Sequence, residues 1–510
     1  MKLAELVEPL ETAARSGGLG IEVAGEITGD ITGLTDDSRA VKPGHVFVAV
    51  KGGKADGHRH LAQAVQAGAA ALVVQELPTG GSVPPSVPVI QVPDSRRAVG
   101  LLAGRFHGDP SSKLTMIGVT GTNGKTTITY LCRAVLEAAG RKVGVIGTVA
   151  YQIGAEVIPA SHTTPGAVEL QSLLARMVAA GLDAAVMEVS SHALALDRTA
   201  GCEFDLAVFT NLTQDHLDFH ADLEDYFQAK VRLFSGLSPA GRKPKTKRAI
   251  VNVDDERGLR VCRACRVPVW TYAIKNQADI RAEAVRLSLA GTRFTAATPA
   301  GRFDVASKLV GEHNVYNLLA AIGVGLQEGL TQDQIRAGLA SVENVPGRFE
   351  RVEAGQDFTV VVDYAHTEDA LMRLLAAANR LKTGRVIILF GCGGDRDRGK
   401  RPKMGRVAAE QSDVVVLTSD NPRSEDPSAI LREVEAGVKE ALAAAPARVQ
   451  YRVIADRRQA IETAIGEART GDTVLIAGKG HEDYQIIGSE KLHFDDREVA
   501  REALRKRSRA

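Results

Sequence analysis

The sequence predicts an α/β fold in three domains, and three observations predict it. From Leu114 onward, apolar runs of strand length alternate with amphipathic segments of helix length, the pattern of parallel strands joined by crossover helices. That rhythm breaks over 280–310, where RAEAVRLSLAGTRFTAATPAGRFDV alternates and carries Gly-containing turns, so antiparallel hairpins are expected there. It resumes after SVENVPGRFE, 341–350. The length of 510 residues fits about three domains. The expected boundaries are 1–110, 111–345 and 346–510.

In the first domain, Val46–Val50 reads as a strand and about 60–78 as a helix running into a strand. The Gly- and Pro-rich segment 76–88 reads as a loop. In the second, strands are expected at 114–119, 142–150, 184–189, 204–210 and 249–253, with a helix from about Asn314 to Gln327. In the third, they are expected at 358–363, 386–390, 413–418 and 473–477, with PSAILREVEAGVKEALAAA as a helix before the last. The basic tail REALRKRSRA reads as cations on a last helical turn with a frayed end.

Composition excludes several classes. Lys plus Arg is 63 against 62 for Asp plus Glu, a net charge of +1, which argues against a surface built for nucleic acid. No run of about 18 apolar residues is present, so no membrane insertion is expected. The opening MKLAELVEPLETAARSG carries Glu5, Glu8 and Glu11 and lacks a signal core. Five cysteines, an odd and sparse set, fit reduced thiols, so a cytoplasmic location is expected. The Cys262–Cys265 pair has no second pair or nearby His to complete a zinc site and reads as structural.

The strongest motif is Gly118-Val-Thr-Gly121-Thr122-Asn123-Gly124-Lys125-Thr126-Thr127, between the strand LTMIGV and the helix TTITYLCRAVLEAAG. This is the context of a phosphate loop. Glycines let backbone N–H groups turn inward, the helix start favours anions, Lys125 reaches the terminal phosphates and Thr126 can hold Mg²⁺. Val119 departs from the usual pattern, which has Gly there. Glu188 ends a strand, where a carboxylate is either a metal-side acid or an ordinary strand-end residue. Asn211-Leu-Thr-Gln-Asp215-His216-Leu-Asp218-Phe-His220 follows another strand; its Asp and His residues suit zinc or, beside a nucleotide, Mg²⁺. Four polar, Gly-rich loops then follow four strands: Asp363-Tyr364-Ala-His366, Gly391–Arg401, Asp420-Asn421-Pro422-Arg423 and Gly478–Glu482. Together they describe one rim of a site, rich in Arg and Lys and suited to an anionic substrate.

With MEVSSHAL, NLTQDHLDFH, GEHNVYNLLAA, VPGRFE, VDYAHTEDAL, GCGGDRDRGKRPKMG, SDNPR, AGKGHEDYQ and the early LTDDSRAVKPGHVFVAVKG, the chain resembles the Mur ligases over nearly its whole length. The resemblance implies a UDP-sugar-binding domain, a central ATP-binding domain with a P-loop parallel sheet, flanking helices and a small antiparallel sheet, and a C-terminal Rossmann-like domain for an amino acid. It implies a cytoplasmic, monomeric ATP-dependent ligase of peptidoglycan synthesis and cell wall biogenesis. That ligase would add meso-diaminopimelate to UDP-N-acetylmuramoyl-L-alanyl-D-glutamate through an acyl phosphate. The same reaction with L-lysine or another diamino acid stays open, as do a P-loop ATPase driving a conformational change and a folate-type polyglutamate ligase.

Site residues follow from the resemblance alone. Lys125, Glu188, His216 and Lys230 are the implied catalytic residues, and Thr126, Glu188, His216 and carbamylated Lys230 the Mg²⁺ side, the carbamate coming from CO₂. ATP would meet Gly121, Thr122, Asn123, Gly124, Lys125, Thr126, Thr127, His313, Asn314, Asn317, Arg348 and Asp363. The UDP-muramyl-dipeptide would meet Ser38, Thr163, Thr164, Ser190 and Arg198. The incoming amino acid would meet Arg396, Asp420, Asn421, Pro422, Arg423, Gly478 and Glu482. Arg423 favours diaminopimelate, whose second carboxylate needs a cation. Glu368 stands where relatives usually carry Pro or Asp, at an expected helix start, where a carboxylate is favoured.

Overall fold

The computed structural model describes residues 1–510 except 16–19, 53–54, 79–82, 241–242, 244–245, 446–448 and 509–510. Part of the 76–88 loop and the end of the basic tail therefore lie outside the described residues. Among the described residues there are sheets of five, eleven, six and two strands.

The five-stranded sheet spans 22–91 in the chain. The helix expected over 60–78 is shorter, Leu61–Gln66, because Gly68 turns at a φ of 91° and Ala71–Val74 enters the sheet, wholly buried. Within the eleven-stranded sheet, Thr115–Thr120 lies parallel to Ala184–Glu188 on one side and Leu206–Phe209 on the other. Alternate residues of this strand face opposite cores. Met116 packs with Leu170, Leu174 and Phe227. Ile117 and Val119 pack with Ile128, Leu131 and Leu318 of two covering helices, Lys125–Glu137 and Glu312–Gln327. Period-two burial of this kind fixes register, since a one-residue slip would exchange the two faces.

One expectation needs correction here. The run 142–150 is two antiparallel strands, Val143–Ile146 and Ala150–Ile153. The chain turns between them because Gly147 packs on Glu188: a Cβ at Gly147 would lie 2.5 Å from Glu188 Oε1. The hairpins over 280–310 are present, and they continue the edge of the parallel sheet through Tyr272–Ile280 and Ala273–Arg281.

In the six-stranded sheet the spatial order brings Thr359–Asp363, Thr473–Ala477, Val386–Phe390 and Val414–Leu417 side by side, all parallel. The four polar loops therefore leave one edge of four adjacent strands. Gln450–Val453 and the hairpin Tyr484–Ile487 with Glu490–His493 were not anticipated. The basic tail closes the helix Asp496–Arg507, whose first residue makes a fully buried ion pair with Arg457 at 2.7 Å. No helix among the described residues is long and apolar enough to cross a membrane.

Candidate functional site

Two cavities meet between the central and last sheets. The first, of about 460 Å³, is lined by the loop 122–127 together with Glu188, Lys230, His313, Asn317, Arg348 and Asp363. The second, of about 680 Å³, is lined by Thr163, Thr164, Ser190, Arg198, Arg396, Asp420, Asn421, Arg423, Gly478 and Glu482. Thr148, Thr163, Ser190, Asp215, His216, Tyr364, His366 and Thr367 line both. Residues distant in sequence thus converge on one continuous space.

The loop is built for close approach. Gly121 and Gly124 have φ of 147° and 91°, and a Cβ on them would lie 1.8 Å from Thr210 Oγ1 and 2.5 Å from Asn317 Oδ1. The Asn123 N–H donates to Asn211 Oδ1 (3.0 Å), and Thr210 Oγ1 donates to the Asn123 carbonyl (2.7 Å). Lys125 Nζ folds back to donate to the Gly121 and Thr122 carbonyls at 3.0 and 2.7 Å. Burial depresses the Lys125 pKa, while Glu188 and Asp215 pull it upward. Arg348 donates to Thr126 Oγ1 at 3.2 Å and lies over the Tyr364 ring at 4.5 Å, tying the loop to the last sheet. Asp363 accepts from the N–H groups of Phe349 and Ala365, and burial raises its pKa. Asn314 is buried and lines neither cavity; it accepts from Asn317 Nδ2 at 2.8 Å and so orients Asn317, which does line the first.

Glu188 is 1% exposed. It accepts from the Thr148 N–H (2.8 Å) and hydroxyl (3.1 Å), and Thr148 Oγ1 lies 3.0 Å from Thr163 Oγ1. Thr164 Oγ1 donates to the Glu188 carbonyl (2.8 Å) and accepts from the Ser190 N–H (3.0 Å), while Arg198 donates to the Thr164 carbonyl (2.9 Å). His216 adopts a left-handed φ of 56°, a conformation that non-glycine residues hold only under constraint. Burial lowers its pKa to about 4, so it is neutral at ordinary pH. Lys230 Nζ donates to the Gly121 carbonyl at 2.8 Å above the Tyr226 ring. Burial, then the neighbouring Lys125, drive its pKa well below the ordinary lysine value.

Among the described residues, no three His, Cys, Asp or Glu side chains converge into a metal-binding set. The first cavity instead offers separate oxygens from Thr126, Glu188 and Asp215. Such a set fits Mg²⁺, which takes one or two carboxylates and fills its shell with phosphate oxygens and water. The cysteines 262 and 265 pack against the core of the central sheet, and Cys265 Sγ donates to the Val261 carbonyl.

On the far side, Asn421 Nδ2 donates to Glu482 Oε2 at 2.8 Å, and Arg423 Nη1 to the Gly394 carbonyl at 2.7 Å. Burial, then Asp420, raise the Glu482 pKa. A Cβ at Gly478 would lie 2.7 Å from Asp420 Oδ2. Arg396 is exposed at the rim. Pro422 is buried in its loop and Ser38 lies in the first sheet's unit; neither lines either of these two cavities. Sequence reasoning did not single out Thr148, whose only signal was its place after a strand. Asp215, in the Asp/His cluster weighed for a metal, and His366, in one of the rim loops, had no individual role assigned from the sequence, and both line the two cavities.

Comparison with known proteins adds the following. Residues 30–107 match the Mur ligase family catalytic domain, 119–325 the Mur ligase middle domain and 347–480 the Mur ligase glutamate ligase domain. The chain is 51% identical over 479 residues, 94% of each chain, to a UDP-N-acetylmuramoyl-L-alanyl-D-glutamate–2,6-diaminopimelate ligase of Gloeobacter violaceus. It is 46% identical over 506 residues, 99% of each, to a protein of the same name from Syntrophomonas wolfei. A solved structure of a ligase of that name superposes with a TM-score of 0.67 at 34% identity, covering 94% of this chain and 95% of the other. Mycobacterium tuberculosis folylpolyglutamate synthase shares the fold, with a TM-score of 0.60 at 20% identity over 79% of this chain and 93% of the other.

Proposed function

The chain belongs to the Mur ligase family, and from that premise we propose that it joins meso-2,6-diaminopimelate to UDP-N-acetylmuramoyl-L-alanyl-D-glutamate at the expense of ATP. The observation that carries the reading is the meeting of the two cavities: a phosphate loop with Lys125 opens into a chamber edged by Arg198, Arg396 and Arg423.

The dipeptide's terminal carboxylate is a poor electrophile. Transfer of the γ-phosphoryl group to its oxygen makes an acyl phosphate and releases ADP. The amine of the amino acid then attacks the acyl carbon, the C–O bond to phosphate breaks, and an amide and inorganic phosphate leave with the amine's proton. Positioning and charge neutralisation supply most of the acceleration in such transfers.

Each domain takes one substrate in this reading. Residues 1–110 receive the nucleotide sugar, with Ser38 among the contacts. Residues 111–345 hold ATP on the loop 121–127 against His313 and Asn317, with Asn314 behind it. Residues 346–510 bring Arg348 and Asp363 to the nucleotide and carry the amino-acid pocket. Thr163, Thr164, Ser190 and Arg198 grip the dipeptide beside Glu188. Asp420, Asn421 and Glu482 meet the ammonium group, Arg396 and Gly478 shape the wall with Pro422 buried in the loop behind it, and Arg423 pairs with the second carboxylate. Thr126 and Glu188 would hold Mg²⁺, which screens the phosphate charge when bound. His216 and a carbamylated Lys230 would serve a second ion. Lys230 suits carbamylation because burial depresses its pKa and so favours the neutral amine that meets CO₂, and the carbamate supplies the anionic oxygens that the amine lacks.

The test is steady-state phosphate release with ATP, Mg²⁺ and the UDP-dipeptide, varying only the amino acid. Turnover is expected to require both acceptor and amine and to be faster with meso-diaminopimelate. Faster turnover with L-lysine would overturn the specificity, and release without either substrate would favour a conformational ATPase.

A further inference from the structure

The hairpin Tyr484–Ile487 and Glu490–His493 lies beyond residue 480, where the match to the family's glutamate ligase domain ends. A lone two-stranded hairpin is marginal in water, and the second strand of this one is exposed throughout. What steadies it is the loop Asp420–Arg423. Gln485 Nε2 donates to the Asp420 carbonyl (2.7 Å), and the Ile486 N–H donates to Asn421 Oδ1 (3.0 Å). The Arg423 N–H donates to the Ile486 carbonyl (3.0 Å), and the Gly488 N–H to the Arg423 carbonyl (2.8 Å).

These bonds act in two ways on the side chains that face the second cavity. They hold Arg423 at a left-handed φ of 52°, a conformation that needs outside support in a non-glycine residue. They also set the Asn421 amide. With its oxygen taken by the hairpin, its nitrogen faces Glu482; a flipped amide would place a donor against the Ile486 N–H.

We propose that the hairpin is the specificity-determining brace of the amino-acid pocket: Gln485 and the Ile486 N–H are positioning groups that fix Arg423, Asn421 and Glu482 to receive the ammonium and carboxylate of a diamino acid's second head. This deepens the proposed function and rests on its reading of that pocket.

The experiment compares three variants of the full chain. Gln485→Met keeps length and removes one donor, Ile486→Pro removes the N–H to Asn421, and Leu492→Thr alters only the exposed strand. The first two are expected to raise KM for meso-diaminopimelate by about tenfold or more and to narrow its preference over L-lysine. KM for ATP and for the UDP-dipeptide, and the melting temperature, stay near wild type, and Leu492→Thr behaves as wild type throughout. Gln485→Met leaves every backbone bond in place, so it decides the matter if the proline variant does not fold. An unchanged KM for the amino acid in Gln485→Met, or an equal rise in all three KM values, would overturn the proposal. A wild-type preference for L-lysine would sink the proposed substrate instead. The brace would then still be judged by the variant-to-wild-type ratio for the preferred amino acid.

Discussion

Replacing Arg423 by alanine separates the two cavities in a single measurement. Arg423 lines the second cavity and is absent from the first. Arg423 is half-buried, with one guanidinium nitrogen held on the Gly394 carbonyl. A guanidinium fork on a carboxylate is a charge-assisted pair. Truncating one partner of a buried pair costs about 2–5 kcal/mol, and half-burial puts this site near the low end, about 2–3 kcal/mol. At about 1.4 kcal/mol per tenfold, KM for meso-diaminopimelate should rise roughly 30- to 150-fold. KM for ATP should move by less than about twofold, because no contact to the phosphate loop is lost. Arg423→Lys should fall between, keeping the charge without the fork. The assay is phosphate release with each substrate varied in turn, with the melting temperature as a check on folding. Equal rises in both KM values, or no rise for the amino acid, would refute the placement of Arg423 in the amino-acid pocket.

Lys230→Ala should lower turnover by roughly a hundredfold or more. Partial rescue by a short carboxylate such as acetate would support the carbamate, and an unaffected variant would remove it from the account. Gly124→Ala sets a Cβ 2.5 Å from Asn317 Oδ1 at a φ of 91°; calorimetry should show ATP binding weakened by about tenfold or more, while an unchanged affinity would mean the nucleotide does not follow this loop. Acid should weaken amino-acid binding before ATP binding. Glu482 has a raised pKa, so it is ionised and able to meet an ammonium group only above that value, and it is neutralised as pH falls through it. KM for the amino acid should climb on the acid side, and a flat profile from pH 8 to about 5 would argue against this role.

Much of the site was legible because its chemistry is local. A phosphate loop needs a strand, then glycines, then a helix within a dozen residues, and GVTGTNGKTT supplies all three. The four loops of the last sheet were readable for a similar reason: each follows a short buried run, and parallel strands deliver all such loops to one edge. The rest depends on packing between distant segments. Nothing near Gly147 in the sequence reveals that it must turn to admit the Glu188 carboxylate. Thr148 is an ordinary strand-end threonine until Glu188 and Thr163 are placed beside it. The hairpin 484–493 was invisible because half of it is exposed and its order comes from the Arg423 loop, far away in the chain. Asn314 could be ranked with Asn317 from the motif, yet helix geometry turns one toward the cavity and the other beneath it.

The two cavities meet so that ATP can activate a carboxylate for attack by an amine, and oxygen labelling tests this most directly. With ¹⁸O in the terminal glutamyl carboxylate of the UDP-dipeptide, turnover with ATP, Mg²⁺ and meso-diaminopimelate should release phosphate carrying the label, because an acyl phosphate leaves with one carboxylate oxygen. Unlabelled phosphate formed in step with the amide would contradict the account.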